Sequence, residues 1–232
     1  MPTSANPAHV FPPRSFVGQL PDDLRGEFLR LGSPRSFSRG DIIVAEQDRS
    51  TEAYVILSGF VRVVNHTATG DAAMIAIRTR GDLIGELAAL DGSPRLSTAM
   101  AAGAVKARVI DGPRLRAFAA AHPAVADAIS RSVMAKFRAA TRYRVATGQP
   151  SALARVALVL SHLADIYGRP VSNGVLIDIP LPQHDLASLV GVAEKSVARA
   201  YRQLREAGAI AATYRRVLVR DLALLRRYAD GS

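Results

Sequence analysis

The 232-residue chain contains no cysteine and no tryptophan, and aromatic residues make up only 6% of it. Without cysteine there is no disulfide, no thiolate zinc site, no cysteine-ligated iron–sulfur cluster and no thiol nucleophile. No apolar run approaches the roughly 18 residues that a membrane-spanning helix needs. No basic-plus-apolar leader opens the sequence, so a cytoplasmic location and no membrane partner are expected. The arrangements that carry catalysis are also missing. There is no Ser/His/Asp pattern, no paired carboxylates and no phosphate-cradling glycine loop of the usual spacing, which argues against an enzyme. The five histidines (His9, His66, His122, His162 and His184) form no spaced pair, which disfavours a metal site or an axially ligated haem. His66 reads as a surface residue, His122 as an exposed helix start, and His184 as a cap of, or the residue before, a later helix.

What is present is apolar and basic. Hydrophobic residues reach 49%, enough for a substantial core. The formal charge is +10, from 30 basic and 20 acidic residues, and it points to a polyanionic partner without choosing among DNA, RNA and a membrane surface. The excess is spread along the chain. Residues 1–150 carry net +6 (19 basic, 13 acidic) and residues 151–232 net +4 (11 basic, 7 acidic), so it is not a basic tail.

Texture divides the chain into four. Residues 1–18, with Pro2, Pro7, Pro12 and Pro13, read as a loose arm. Residues 19–121 open with a short helix (Leu24, Phe28 and Leu31 on one face). Short Val/Ile/Tyr-rich stretches follow, at Asp41–Ala45, Ala53–Leu57, Phe60–Val64, Ala72–Ile77 and Val105–Ile110. Turn signals such as Ser58-Gly59 and Arg80-Gly81-Asp82 separate them. Strands of this length and spacing predict a small barrel or jelly roll, either filled by side chains or holding a small ligand. Residues 122–148 read as a long helix after a break at His122-Pro123. Its partial apolar seam runs through Ile129, Val133, Lys136, Phe137 and Ala140, and Arg131, Arg138, Arg142 and Arg144 make it basic. Such a helix packs either against its twin in a homodimer or against its own barrel. Residues 149–232 then run helix, strand, helix, turn, helix, hairpin, helix. The expected class is therefore α+β: an N-terminal β-roll, a long helix and a C-terminal helical domain with a hairpin.

The segment 185–204 is the most informative. Leu186, Leu189 and Val190 form the inner face of one helix, with a small Ala187 where two helices must approach closely. Gly191 supplies the turn. Val192, Val197, Tyr201 and Leu204 line the inner face of a second helix, leaving Glu194, Lys195, Ser196, Arg199 and Arg202 outward. This is helix-turn-helix spacing, in which the second helix enters the major groove of double-stranded DNA by its N-terminal end. Lys195 and Arg199 suit guanine O6/N7, and Glu194 suits a cytosine amino group. Ser196 and Arg202 suit phosphate. The basic hairpin that follows Gly208, with Arg215 and Arg216, would form a wing beside the DNA backbone. The bland reading of the same segment is an ordinary helical pair with a solvated face.

The order of parts, from about residue 18 to 228, resembles the Crp/Fnr superfamily of bacterial transcription regulators. Three stretches carry the resemblance: Arg39-Gly40-Asp41-Ile42-Ile43 through Val63, then Gly81-Asp82-Leu83-Ile84-Gly85-Glu86-Leu87 through Arg95, and the helix-turn-helix. The resemblance implies a cyclic-nucleotide-type β-roll, a dimerisation helix at 122–148 and a winged helix-turn-helix. It implies a homodimer on a near-palindromic operator, with RNA polymerase as a further partner. It also implies an effector pocket, in which Glu86 holds a ribose hydroxyl and Arg95 a cyclic phosphate. Backbone groups near Gly85 and Leu87 would help, with Leu96, Ser97 and Thr141 at neighbouring positions. Three departures bear on that pocket. Leu96 stands where nucleotide binders carry Ser or Thr, Ala140 where the long helix gives a polar contact to the purine, and Gln47 where a glycine is usual. The pocket is thus open to cyclic AMP or another cyclic nucleotide, to a different small effector, or to none, with Glu86 and Arg95 then paired to each other. The recognition helix begins Ala193-Glu194-Lys195-Ser196-Val197 instead of the family's Ser-Arg-Glu-Thr-Val, with Arg199 retained. The lack of cysteine closes the iron–sulfur route used by oxygen-sensing members.

Overall fold

The structure is a computed structural model that describes residues 11–66, 72–147, 151–179, 181–213 and 216–231. It separates into two compact units. The first comprises Met1–Val61 and Arg78–Ser132, and the second Arg62–Ile77 and Val133–Ser232.

The first unit contains α1 (Asp22–Arg30), most of a β-roll, α2 (Glu86–Asp91), α3 (Gly112–Ala121) and the start of α4 (Pro123–Thr147). The roll is built from two four-stranded sheets. One has the order β1-β8-β3-β6, from Ser33–Phe37, Val105–Ile110, Ala53–Ser58 and Leu83–Ile84. The other has the order β2-β7-β4-β5, from Ile42–Val44, Thr98–Ala101, Phe60–His66 and Ala72–Thr79. β8 is central to the first sheet, pairing antiparallel with β1 (Arg35 opposite Ala107) and with β3 (Tyr54 opposite Val109). The interior is filled by side chains. Ile43, Val44, Tyr54, Ile56, Val61 and Ile84 pack with the small Ala99, Ala101 and Ala107, which let the two sheets approach.

The strands read from the sequence in this roll are all present, and β1, β6, β7 and helix α2 are additional. Each lacks the expected signal. β1 carries Pro34 and is mostly exposed at a sheet edge. β6 is two residues long, and β7 is alanine-rich, which lowers its β propensity. α2 is six residues held between Gly85 and Gly92, both left-handed. Residues 1–10 of the expected loose arm lie outside the described residues; at its C-terminal end the chain is packed before residue 18. Ser15, Phe16 and Val17 are at most 1% exposed. Pro12 anchors a turn here. The Ser15 amide and hydroxyl both donate to the Pro12 carbonyl, at 2.9 and 2.7 Å, and the Val17 amide donates to Gly81 O at 2.9 Å. Phe16, Phe28 and Phe118 then meet edge to face.

α3 begins at Asp111, whose side chain accepts from the Arg114 amide, and ends at His122. His122 lies against Phe118 at 4.3 Å between ring centroids and closes α3, and its carbonyl accepts from the Val125 and Ala126 amides, so it also stands at the start of α4 as expected, half-buried instead of exposed.

The second unit contains the rest of α4, α5 (Ala152–Tyr167, capped by Ser151), α6 (Gln183–Val190), α7 (Glu194–Glu206) and α8 (Leu222–Ala229). Its sheet has the order β11-β12-β10-β9, from Ile210–Thr213, Arg216–Val219, Gly174–Ile177 and Gly168–Val171. Gly168 closes α5, its amide donating to Ala164 O, and it also opens β9, an additional strand that runs through Pro170 and pairs with β10. Leu160, Leu163, Leu186, Leu204 and Ile210 form a core with side chains less than 3% exposed. Residues 62–77, which belong to the roll by sequence, fall in this second unit. Among the described residues no helix is long and apolar enough to cross a membrane.

Candidate functional site

The helix-turn-helix is formed by α6, Gly191 and α7. Gly191 adopts φ 67° and ψ 44°, and its amide donates to the Ala187 and Ser188 carbonyls. The Val192 amide returns to Ala187 O at 3.1 Å, so the end of α6 has its orphan carbonyls satisfied. Leu186, Leu189 and Val190 on α6, and Val197, Ala200, Tyr201 and Leu204 on α7, are all buried. Burial pushes the Tyr201 phenol well above its ordinary pKa. The outer face of α7 presents Glu194, Lys195, Arg199 and Arg202, all exposed, with Ser196 half-buried at the first turn. Three basic side chains therefore project from the outer face of a helix whose inner stripe is Val197, Ala200, Tyr201 and Leu204 and carries no charge. That arrangement suits acceptor groups on guanine edges and phosphates.

Arg216 starts β12 and is exposed, but its Nε lies 2.7 Å from Asp178 Oδ1. The wing cation is thus tethered within its own domain. Arg215 lies outside the described residues. Sequence reasoning missed Arg155, whose Nη1 donates to Gly191 O at 3.3 Å and braces the turn. It also missed Asp185, which is only 3% exposed. His184 is neither a cap nor outside the helix. It is the second residue of α6, and its Nε2 stands 3.2 Å from Asp185 Oδ1.

The candidate effector pocket lies in the first unit. Gly85 is left-handed (φ 78°) and starts α2; Glu86 is 4% exposed, Arg95 3% and Leu87 38%. The guanidinium of Arg95 is occupied by the protein. Nη1 donates to Gly85 O at 2.9 Å and Nη2 to Glu52 O at 2.7 Å. Ser50 Oγ accepts from Nε at 3.4 Å and from Nη2 at 3.2 Å. Arg95 Nη2 also forms an ion pair with Glu52, at 3.8 Å. Leu96 is 65% exposed and Ser97 half-buried, while the buried Thr98 hydroxyl accepts from the Glu46 amide at 3.0 Å. Thr141 falls in the second unit, where its hydroxyl donates to Phe137 O of its own helix at 3.0 Å. Ser50 and Glu52 escaped the sequence reading. The signal for them was a polar run at 46–52 inserted between two apolar strands.

On α4, Ile129 is buried, Val133 and Lys136 are half-buried, and Phe137 and Ala140 are exposed. The seam expected from the sequence is therefore split between two faces. The exposed row is Ser130, Met134, Phe137 and Thr141, at i, i+4, i+7 and i+11, with Met134 46% and Phe137 72% exposed. That is coiled-coil spacing. Among the described residues no group of three His, Asp or Glu side chains could hold a metal ion.

A β-roll with a guanidinium at its α2 turn, followed by a winged helix-turn-helix, defines a DNA-binding protein with a ligand-type sensory module. Residues 34–122 match the cyclic nucleotide-binding domain family, and residues 154–228 match the Crp-like helix-turn-helix domain family. The chain is 28% identical over 196 residues to the CRP-like cAMP-activated global transcriptional regulator of Mycobacterium tuberculosis, covering 84% of this chain and 88% of that protein. It is also 28% identical to the nitrogen fixation regulation protein FixK of Azorhizobium caulinodans, covering 85% of this chain and 79% of that one. Among solved structures, FixK2 from Bradyrhizobium japonicum superposes with a TM-score of 0.73 at 21% identity, covering 85% of this chain and 96% of that one. A CRP-family regulator from Thermus thermophilus gives 0.63 at 27% identity, covering 85% and 97%. The chain belongs to the Crp/Fnr superfamily of bacterial transcription regulators. These are dimeric DNA-binding proteins in which a ligand-binding module precedes a Crp-type helix-turn-helix, with no catalytic domain evident.

Proposed function

We propose that this protein is a homodimeric transcription regulator that reads a near-palindromic operator without requiring a cyclic nucleotide. The observation that carries this reading is the state of Arg95. A phosphate-binding arginine needs free N–H groups aimed at the ligand. Here Nε, one N–H of Nη1 and both of Nη2 are directed at Ser50, Gly85 and Glu52, so most of the fork is engaged, and the Glu52 carboxylate supplies the countercharge. Leu96 removes the hydroxyl that would complete a phosphate cradle. Displacing these partners would cost Arg95, itself only 3% exposed, the hydrogen bonds it makes to half-buried acceptors, which opposes nucleotide entry. The relatives are consistent with either outcome: one is named for activation by cAMP, and FixK for nitrogen-fixation regulation. Dimerisation through Ser130, Met134, Phe137 and Thr141 would set the spacing of two recognition helices, so half-sites should lie about one helical turn apart. Lys195 and Arg199 would read bases, and Glu194 would restrict which are tolerated.

Isothermal titration of cyclic AMP into the nucleotide-free protein tests the pocket. The expected result is no saturable heat at millimolar nucleotide. Saturable binding at one site per chain, abolished by Arg95→Gln, would overturn the effector-independent reading and restore a nucleotide-responsive one.

A further inference from the structure

Asp185 is a carboxylate on the first helix of the helix-turn-helix with only 3% of its surface exposed. A carboxylate so buried requires a cationic partner. That partner comes from far away in sequence. Arg62 on β4 donates from Nη2 to Asp185 Oδ2 at 2.8 Å, and its Nε stands 2.8 Å from Oδ1, so the guanidinium fork spans both oxygens. His184 Nε2 lies 3.0 Å from Arg62 Nη2. One turn along α6, Ser188 Oγ accepts from the Met74 amide on β5 at 3.2 Å. The Tyr167 hydroxyl at the end of α5 donates to Ile77 O at 3.3 Å. The segment Arg62–Ile77 is thus fastened at three points to α5 and α6, and it forms one compact unit with them. It leaves the α7 face open, since Glu194, Lys195, Arg199 and Arg202 all remain exposed.

We propose that Arg62 is a positioning residue for operator binding. It acts through Asp185, fixing α6 and therefore the angle at which α7 enters the groove. In helix-turn-helix docking the first helix crosses the phosphate backbone. An uncompensated carboxylate on that helix repels the phosphates, and Arg62 cancels its charge while locking the helix from the β4–β5 arm. The inference rests on α7 being the reading helix, and it adds that sequence discrimination depends on a residue outside the helix-turn-helix.

The test uses full-length protein and two duplexes: one selected by the wild-type protein from a randomised library, and a scrambled control. Arg62→Ala is expected to weaken binding to the selected duplex by about tenfold, within the range of ordinary inter-site coupling, and to leave the scrambled duplex nearly unaffected. Arg62→Lys recovers part of the loss. The charge-swapped double variant Arg62→Asp with Asp185→Arg recovers most of it. A merely structural role would not separate the two duplexes. Wild-type or tighter binding by Arg62→Ala, or an equal loss on both duplexes, overturns the proposal. Should Arg62→Ala fail to fold, the swapped pair decides: recovered selectivity supports the proposal and lost selectivity overturns it. If the wild-type protein selects no duplex at all, the DNA-reading assignment falls as well.

Discussion

Gly85 and Arg95 are locked to each other: Arg95 Nη1 donates to Gly85 O at 2.9 Å, and a Cβ on Gly85 would stand 2.5 Å from the same nitrogen. The left-handed φ of 78° adds a second reason for glycine there. Gly85→Ala is therefore expected to destabilise the roll by about 1–3 kcal/mol through backbone strain alone, and to expel the guanidinium from its cradle. Chemical denaturation of the purified variant checks this. An unchanged midpoint would show that the Gly85–Arg95 fit contributes little.

Gln47 gives the opposite prediction. Its φ of 66° makes it the one non-glycine residue in the left-handed region among those described. Its amide donates to Arg95 O at 2.9 Å, while the Arg95 amide donates to Asp48 O at 2.9 Å, so the turn is pinned by the same arginine. Relief of the αL penalty, about 1–2 kcal/mol, exceeds the added entropy cost of glycine, about 0.5–1 kcal/mol. Gln47→Gly should raise the thermal midpoint by a few degrees in a scanning calorimeter.

The exposed row on α4 predicts the oligomer. Phe137 is 72% exposed, so Phe137→Glu does not disturb the core of the protomer. In a helical seam the same charge is placed directly against its copy, desolvated and repelled. Sedimentation velocity should show the wild type as a dimer and Phe137→Glu as a folded monomer with weakened operator binding. A variant that stays dimeric would move the interface off this face.

Within the DNA-reading unit the basic residues should divide by role. Arg199→Ala and Lys195→Ala are expected to lose about 1–3 kcal/mol each on the preferred duplex and to relax selectivity at one base pair. Arg216 is held by Asp178 at 2.7 Å beside the wing. Arg216→Ala should weaken all duplexes alike and reduce the salt slope by about one. Fluorescence anisotropy across a salt series distinguishes the two patterns.

The legible parts of this fold were those with strong local periodicity. α7, with an apolar stripe at Val197, Ala200, Tyr201 and Leu204 and charges elsewhere, could be read to within a residue. The roll is readable as a class, but β1, β6 and β7 are not, because a proline-bearing edge strand and short or alanine-rich strands owe their state to pairing partners distant in sequence. The candidate pocket was half legible. Gly85, Glu86 and Arg95 stood in a recognisable stretch, whereas Ser50 and Glu52 reach Arg95 only through the turn that brings residues 46–52 beside 95. Asp185 was read past for a similar reason. On a helical wheel it is one more acidic residue near a helix start, and only tertiary packing buries it against Arg62.

The central claim is that operator binding does not wait for a cyclic nucleotide. The direct measurement is anisotropy of the selected duplex titrated with protein stripped of nucleotide by unfolding and refolding, repeated with cyclic AMP and cyclic GMP at millimolar concentration. The account predicts saturable binding by the stripped protein and the same affinity in all three titrations. Binding that appears only with a nucleotide, or tightens by more than about tenfold on adding one, would contradict it.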